Sequence, residues 1–250
     1  MALQEELESQ GNWLFRYRSF LPILIVLVGW AMYLRRELHP EEFPLFLPEY
    51  EHLYLAIAMA VGLLGLAVRV YTVGFSPRNT SGRNTKVGQV ADTLNQTGIY
   101  SVVRHPLYLG NFLMWLGPAL VTANGWFILA FCFLYWVYYE RIMFAEEQFL
   151  RKKFGDVYLQ WSQGVPAFLP NFSNFISSNF PFSWKKVLKK EKNGLAALFL
   201  IFCLFDASVL IFKPDHQPNL LLIGLCIGTG LLYLVLKLLK NSQLMAEKDR

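Results

Sequence analysis

Charge is scarce in this chain: 16% of its 250 residues are Asp, Glu, Lys or Arg, whereas 54% are apolar. That balance excludes an ordinary soluble domain and points to an integral membrane protein. Cysteine is scarcer still. Cys132, Cys203 and Cys226 each lie inside an apolar stretch with no Cys or His at metal-ligand spacing, which argues against a disulfide framework and a zinc site and leaves packing as their role. No internal repeat is present. Gly224-x3-Gly228 and Gly228-Thr-Gly230 lack the strand context of a nucleotide-binding fold, so they read as helix-packing sites. A cleavable leader is not evident either. The first apolar run starts near residue 20, follows an acidic segment and has no small-residue cleavage site, so it reads as a retained span.

What the chain does have is apolar runs, from about Phe20 to Leu34, Leu53 to Val68, Leu107 to Ala123, Trp126 to Tyr139, Leu195 to Phe212 and Leu220 to Leu239. The expected fold is all-α, a polytopic membrane protein of about five or six transmembrane helices. The shorter runs reach the roughly 20 residues of a bilayer crossing by including flanking Trp, Tyr and Arg, the usual interfacial anchors. With a cytoplasmic N-terminus and all six runs spanning, only Arg35, Arg36 and Lys213 of the 23 Lys and Arg fall outside. The positive-inside rule then predicts that both termini and every polar segment able to carry chemistry face the cytoplasm. The net charge of +5 reads as topology and attraction to anionic headgroups, not as a nucleic-acid surface.

Three segments organise the chain: N-terminal helices over 1–75, a core over 76–170, and an interfacial segment with a C-terminal hairpin over 171–250. Residues 1 to 18 look like an interfacial lead-in, and the loop from Arg35 to His52 is assigned no chemistry. Ser76 to Thr97 is a long polar loop, hence a functional candidate. Its Asn79-Thr80-Ser81 and Asn95-Gln96-Thr97 match the glycosylation acceptor pattern by chance if the loop is cytoplasmic. Leu107 to Tyr139 reads as two helices joined at Asn124-Gly125, the second continuing outward to about Gly155. On it Glu140, Phe144 and Glu147 share a face, and Glu147 is spaced to pair with Arg151. The stretch from Phe172 through the lysines at 185–192 resembles a segment lying on the cytoplasmic leaflet. Asp206, a carboxylate within a span, reads as a cap or helix-pairing group.

The most informative stretch is Gly98 to Gly110, Gly-Ile-Tyr-Ser-Val-Val-Arg-His-Pro-Leu-Tyr-Leu-Gly. Arg104 and His105 stand immediately before an apolar run, at the membrane boundary, where polar groups are functional candidates. Pro106 disfavours helical geometry at His105 and suits the first helical position. The helix is thus expected to start there with unpaired N–H groups, an anion site.

Gly98-x-Tyr100-x3-Arg104-His105-Pro106-x-Tyr108-x-Gly110, a short hairpin, Glu146-Glu147, Phe154-Gly155-x2-Tyr158 and Val165-Pro166-x2-Leu169-Pro170 together resemble the membrane methyltransferases of the isoprenylcysteine carboxyl methyltransferase and phospholipid methyltransferase group. The resemblance covers roughly residues 76 to 170. It implies S-adenosylmethionine held at the cytoplasmic face in a pocket built from transmembrane helices rather than a Rossmann domain, and a lipid or lipidated acceptor arriving from the bilayer. Cofactor contacts are expected from Tyr100, Arg104, His105, Tyr108, Leu109, Gly110, Glu146 and Glu147. The helix start with Arg104 and His105 suits the carboxylate, the glutamates suit the ammonium or ribose hydroxyls, and Tyr100, Tyr108 or Trp115 suit the adenine or sulfonium. Arg141 and Arg104 are the candidate catalytic cations, holding an already anionic acceptor oxygen in line. No metal is implied.

Where the prenylcysteine branch typically has Glu and Arg before Val-Pro, this chain has Gln160 and Gly164. Together with Asn79 to Asn84 and Gly110-Asn111, that looks like bacterial members in an inner membrane and favours O-methylation of a lipid phosphate, as on lipid A. Isoprenylcysteine carboxyl methylation and phospholipid N-methylation are the alternatives within the group. A membrane sterol reductase using NADPH, which shares the Phe-Gly-x2-Tyr to Val-Pro tail, and a non-catalytic membrane protein are the rival classes.

Overall fold

The computed structural model describes residues 2–18, 21–44, 46–77, 83–85 and 88–239. Its helices are α1 (Leu3–Tyr17), α2 (Leu21–Leu38), α3 (Glu51–Phe75), α4 (Pro106–Val121), α5 (Gly125–Phe154), α6 (Asp156–Gly164), α7 (Trp184–Ser208) and α8 (Leu220–Leu239). One antiparallel pair, β1 (Arg83–Thr85) with β2 (Gly88–Val90), departs from an otherwise helical fold. It lies in the long polar loop. Among the described residues α3, α5, α7 and α8 are long and apolar enough to cross a membrane, and the bent pair α1–α2 makes a fifth if counted as one span. Helix α4, expected to span, has 16 residues. At 1.5 Å per residue it extends about 24 Å, short of a hydrocarbon core of about 30 Å.

The turn after α4 follows from its residues. Ala123 takes a positive φ of 48°, and Asn124 caps α5 by accepting from the Phe127 N–H at 2.8 Å. Helix α5 then runs through to Phe154, as expected, and ends at Gly155 with φ 54°.

Helices α3 and α4 approach closely along much of their length because small residues face each other. A Cβ at Gly65 would lie 2.5 Å from the Gly110 carbonyl oxygen, and one at Gly117 would lie 2.7 Å from that of Ala58. Such approach lets two backbones pack in an apolar solvent that supplies no hydrophobic drive between helices. The packing crosses the expected boundary at residue 75, so the first two segments share one bundle. By contrast, Gly224, Gly228 and Gly230 have no atom within 4 Å of a built Cβ. They are not helix-packing sites within the described chain.

Two other expectations are corrected. The segment before residue 18 is not merely interfacial: α1 packs along α5, with Gly11 against the Arg141 carbonyl and the Tyr138 hydroxyl donating to the Leu14 carbonyl at 3.0 Å. The lysine-rich stretch is not a separate segment but the start of a long apolar helix. Ser183 caps α7, accepting from the Lys186 N–H at 3.2 Å, and the lysines occupy the first turns of that helix. Asn79, Thr80 and Ser81 lie outside the described residues.

One apolar cluster gathers Tyr33, Leu198, Phe202, Phe205, Val209 and Leu222 between α2, α7 and α8. A second, aromatic cluster joins Phe131, Tyr135, Tyr138 and Tyr139 of α5 to Phe15 of α1 and Ala119 of α4. Above it the end of α3, the start of α4, the outer half of α5 and the first turns of α7 converge.

Candidate active site

The Arg-His-Pro segment is pinned by its neighbour. Arg104 and His105 donate their backbone N–H groups to the Pro166 and Ala167 carbonyls at 2.9 and 3.2 Å, and Asn171 donates to the Val102 carbonyl at 2.9 Å. This pairing explains why Val165-Pro166 belongs with a motif some 60 residues earlier: Pro166 has an acceptor to give and needs no donor. The Arg104 guanidinium reinforces it, Nη1 donating to the Ser162 and Val165 carbonyls, each at 2.7 Å.

Two sequence-predicted groups, Arg104 and His105, meet at Glu147. Its Oε1 accepts from Arg104 Nε at 2.8 Å and from His105 Nε2 at 2.9 Å. Glu147 therefore pairs with these two and not with Arg151. Glu146 has different company: it accepts from the Tyr108 hydroxyl at 2.8 Å and lies 3.7 Å from His105 Nδ1. Two carboxylates adjacent in sequence are thus divided by role. Glu147 is committed to a cation and an imidazole, while Glu146 keeps most of its accepting capacity, because a carboxylate takes about four donors.

The helix start differs from expectation. Pro106 is the first residue of α4, but the Tyr108 and Leu109 N–H groups both turn back to the His105 carbonyl at 3.1 and 3.2 Å. The Leu109 bond is the ordinary first one of the helix, and the Tyr108 bond takes one of the N–H groups expected to be open. His105 occupies the capping position without a side-chain cap bond, since its ring serves the glutamates. It also stacks on Tyr108 with centroids 5.6 Å apart.

Tyr108 carries the cluster down to an aromatic wall. Its ring lies 5.0 Å from Tyr139, Tyr139 stacks on Tyr135 at 4.1 Å, and the Tyr135 hydroxyl donates to the Tyr108 carbonyl at 2.7 Å. Trp115 packs in the same wall. Tyr100, buried before α4, has its hydroxyl pushed above the ordinary range by burial, with the charge of Glu146 adding to it and Ser76 opposing. It is a neutral donor at physiological pH.

The structure does not bring Arg141 to this cluster. Its guanidinium pairs with Glu140 at 2.8 Å, and its backbone faces α1 through Gly11. Gly110 is nearby but serves helix packing: a Cβ there would meet Arg69 Cγ at 2.5 Å. Leu109 makes no polar side-chain contact.

Sequence reasoning missed a second ion pair beside the first. Arg69 of α3 reaches Glu191 of α7 through Nε and Nη2 at 2.7 and 2.9 Å, and donates through Nη1 to Asn111 of α4 at 2.5 Å. A lone Arg at the end of an apolar helix is a visible signal, but its partner 122 residues away is not. Tyr135, Tyr139 and Glu146 lie at i, i+4 and i+11 on one face of α5, a spacing the sequence does display.

The arrangement leaves donors without partners. The Tyr158 hydroxyl and Trp161 Nε1 are buried and find no acceptor of hydrogen-bonding geometry among the described residues. Burial, with Glu147 adding and Arg104 opposing, pushes the Tyr158 hydroxyl well above its ordinary range. Orphaned buried donors beside a charged cluster fit a polar ligand that supplies acceptors. A carboxylate, Glu146, stands ready for a cation.

Residues 56–157 match the model of the phospholipid methyltransferase family. The chain is 37% identical over 73 residues to a protein-S-isoprenylcysteine O-methyltransferase of Schizosaccharomyces pombe, covering 29% of this chain and 31% of the relative. It is 37% identical over 74 residues to protein-S-isoprenylcysteine O-methyltransferase B of Arabidopsis thaliana, covering 29% and 37%. Against the Saccharomyces cerevisiae protein-S-isoprenylcysteine O-methyltransferase it is 32% identical over 77 residues, covering 31% and 32%. The matches thus span about a third of these relatives' length.

Proposed function

From the match of residues 56–157 to the model of the phospholipid methyltransferase family, we propose that this chain is an integral membrane methyltransferase using S-adenosylmethionine and acting on a lipophilic acceptor. The observation that carries the reading is the division of labour between Glu147, which locks Arg104 and His105, and Glu146, which faces Tyr108 with accepting capacity left over. When bound, S-adenosylmethionine supplies an electrophilic methyl group on a sulfonium.

The chain's residues supply the rest. Glu146 receives an ammonium, Tyr158 and Trp161 donate to oxygen or ring nitrogen acceptors, and the rings of Tyr108 and Tyr139 offer faces to a cation or flat heterocycle. The helices exclude water from an in-line displacement whose main requirement is alignment.

For the acceptor, the relatives named above are O-methyltransferases of S-isoprenylcysteine, and nothing in the comparisons supports the lipid phosphate expected from Gln160 and Gly164. The proposal therefore moves to a prenylated cysteine carboxylate. Both candidates present an oxygen already anionic at neutral pH, so neither requires a general base. Position 164 has open space around it, leaving a prenylated acceptor unobstructed there.

The experiment is transfer of labelled methyl from S-adenosylmethionine to farnesylated N-acetylcysteine and, separately, to extracted lipids. Label on the thioether-bearing acid, lost on mild alkaline hydrolysis as an ester, is the expected result. Label confined to a lipid phosphate or amine would replace the acceptor while leaving the methyltransferase reading, and absence of both S-adenosylmethionine binding and label would end that reading.

A further inference from the structure

At the end of the bundle opposite the candidate active site lies a cavity of about 390 Å³, a size that admits a small ligand or headgroup. It opens among the end of α2, the start of α3, the ends of α4 and α7 and the start of α8. Three helices measure its separation from the Arg104 cluster. At 1.5 Å per residue, Arg69 to Glu51 along α3 is about 27 Å, and Pro106 to Val121 along α4 and Glu191 to Asp206 along α7 are each about 23 Å. The α3 distance approaches the roughly 30 Å hydrocarbon thickness of a bilayer, and α3 is long and apolar enough to cross one, so a chain that spans the membrane presents the two sites toward opposite faces.

Arg36 lines this cavity and is 1% exposed. Its Nη1 donates to the Val121 carbonyl at 2.6 Å, its Nη2 contacts Glu37 and stands 3.5 Å from Glu51 Oε1, and the rings of Tyr33 and Phe46 flank it at 4.6 and 4.1 Å. Yet Nε is buried and has no partner among the described residues. A buried charged donor left without an acceptor is costly, and Arg36 lines the cavity, so a small shift of its side chain would let Nε–H meet an incoming oxygen.

The carboxylates around it are not equivalent. Asp206 is occupied, accepting from the Asn219 N–H at 2.7 Å at the start of α8 and contacting His216 Nε2 at 3.2 Å, the capping role expected of it. Glu37 is taken by Arg36. Glu51 makes no hydrogen bond to Arg36, approaching it at 3.5 Å with its side chain 44% exposed, and the His52 and His216 imidazoles are its other neighbours of potential positive charge, leaving a carboxylate with room for a cation. The rest of the wall is mixed: His52 and Gln217 add polar groups, and Leu55, Phe202 and Leu221 form an apolar side, with Leu221 largely exposed where lipid would lie.

We propose that this cavity binds the headgroup of a zwitterionic amphiphile, an anionic oxygen on Arg36 Nε–H and an ammonium on Glu51, with the apolar wall leading its tail to the bilayer. The site is separate from the methyl acceptor's and does not rest on the methyltransferase reading.

The test is calorimetric titration of the purified full chain in detergent with lyso-phosphatidylethanolamine, with lyso-phosphatidylglycerol, which lacks the amine, and with soluble phosphoethanolamine. Saturable binding of the ethanolamine lipid is expected, weakened at least tenfold in Glu51→Gln and abolished in Glu51→Lys, with unfolding midpoints unchanged. Lyso-phosphatidylglycerol should bind at least tenfold more weakly. Phosphoethanolamine binding as tightly as the lipid would assign the same chemistry to a soluble source, and weaker binding would assign it to the membrane. Equal affinity for both lysolipids, an unaltered Glu51→Gln, or no saturable binding by either amine probe would overturn the proposal.

Discussion

The α3–α4 pair and the α7–α8 pair are both apolar, both helical and both marked by glycine, yet glycine means opposite things in them. Between α3 and α4 it removes the atoms that would hold two backbones apart: a Cβ at Gly65 would fall 2.5 Å from both the Gly110 carbonyl and the Met114 nitrogen. On α8 it removes nothing from any contact, since Gly224, Gly228 and Gly230 face open space. The difference tracks function. The candidate site hangs from the first pair, whose close approach sets Arg69, Asn111 and the start of α4 against one another. No site residue belongs to α8. A stripe of small residues is therefore evidence of helix contact only where a second helix supplies the complementary stripe.

The largest expected effect breaks the tight pair. Gly65→Leu places a branched side chain against backbone atoms that have no rotamer to yield, so it should destabilise by about 3 kcal/mol or more. Thermal unfolding in detergent measures it. A midpoint within two degrees of the parent would mean that α3 and α4 separate without cost.

Next comes a contrast within the site. Glu147→Ala leaves Arg104 Nε and His105 Nε2 without their acceptor and should lower stability by about 2 kcal/mol. Glu146→Gln keeps an oxygen for the Tyr108 hydroxyl, so stability should hold, while affinity for S-adenosylmethionine falls about tenfold, or about 1.4 kcal/mol. Calorimetry beside unfolding separates the two. If both variants lose stability equally and bind alike, the division of roles between the two glutamates is wrong.

Much of this was legible in sequence, and the rest was hidden for definable reasons. The apolar runs displayed the helices, and Asn124 displayed the hairpin turn through its capping chemistry. Arg104, His105, Tyr108, Glu146 and Glu147 were recognisable as one constellation because their motif order is preserved along the chain. Arg141 was misjudged because proximity in sequence to Glu146 says nothing of helical face: five residues is 500° of rotation at 100° per residue, which turns it toward α1. The Arg69–Glu191 pair, the unpartnered Arg36 Nε and the commitment of Glu147 all depend on which distant helix lies alongside, information carried by packing and not by any local pattern.

The smallest effect sharpens the comparison from its other side. Gly228→Leu on α8 adds a side chain where no atom lies within 4 Å, so it creates no clash and fills no cavity. Two modest gains act in its favour, the helix propensity of Leu over Gly, worth about 0.8 kcal/mol in water, and apolar surface suited to lipid. Nothing in the described chain opposes them. The expected outcome is therefore a neutral to slightly stabilising change below about 1 kcal/mol, with methyl transfer unaltered. Unfolding and activity of Gly228→Leu beside Gly65→Leu make the check, and the two variants share the same chemical change at the same kind of residue. A loss of about 2 kcal/mol or more at Gly228 would show that its stripe meets another helix after all, in a second copy or another subunit, and would restore the packing role that the sequence pattern suggested.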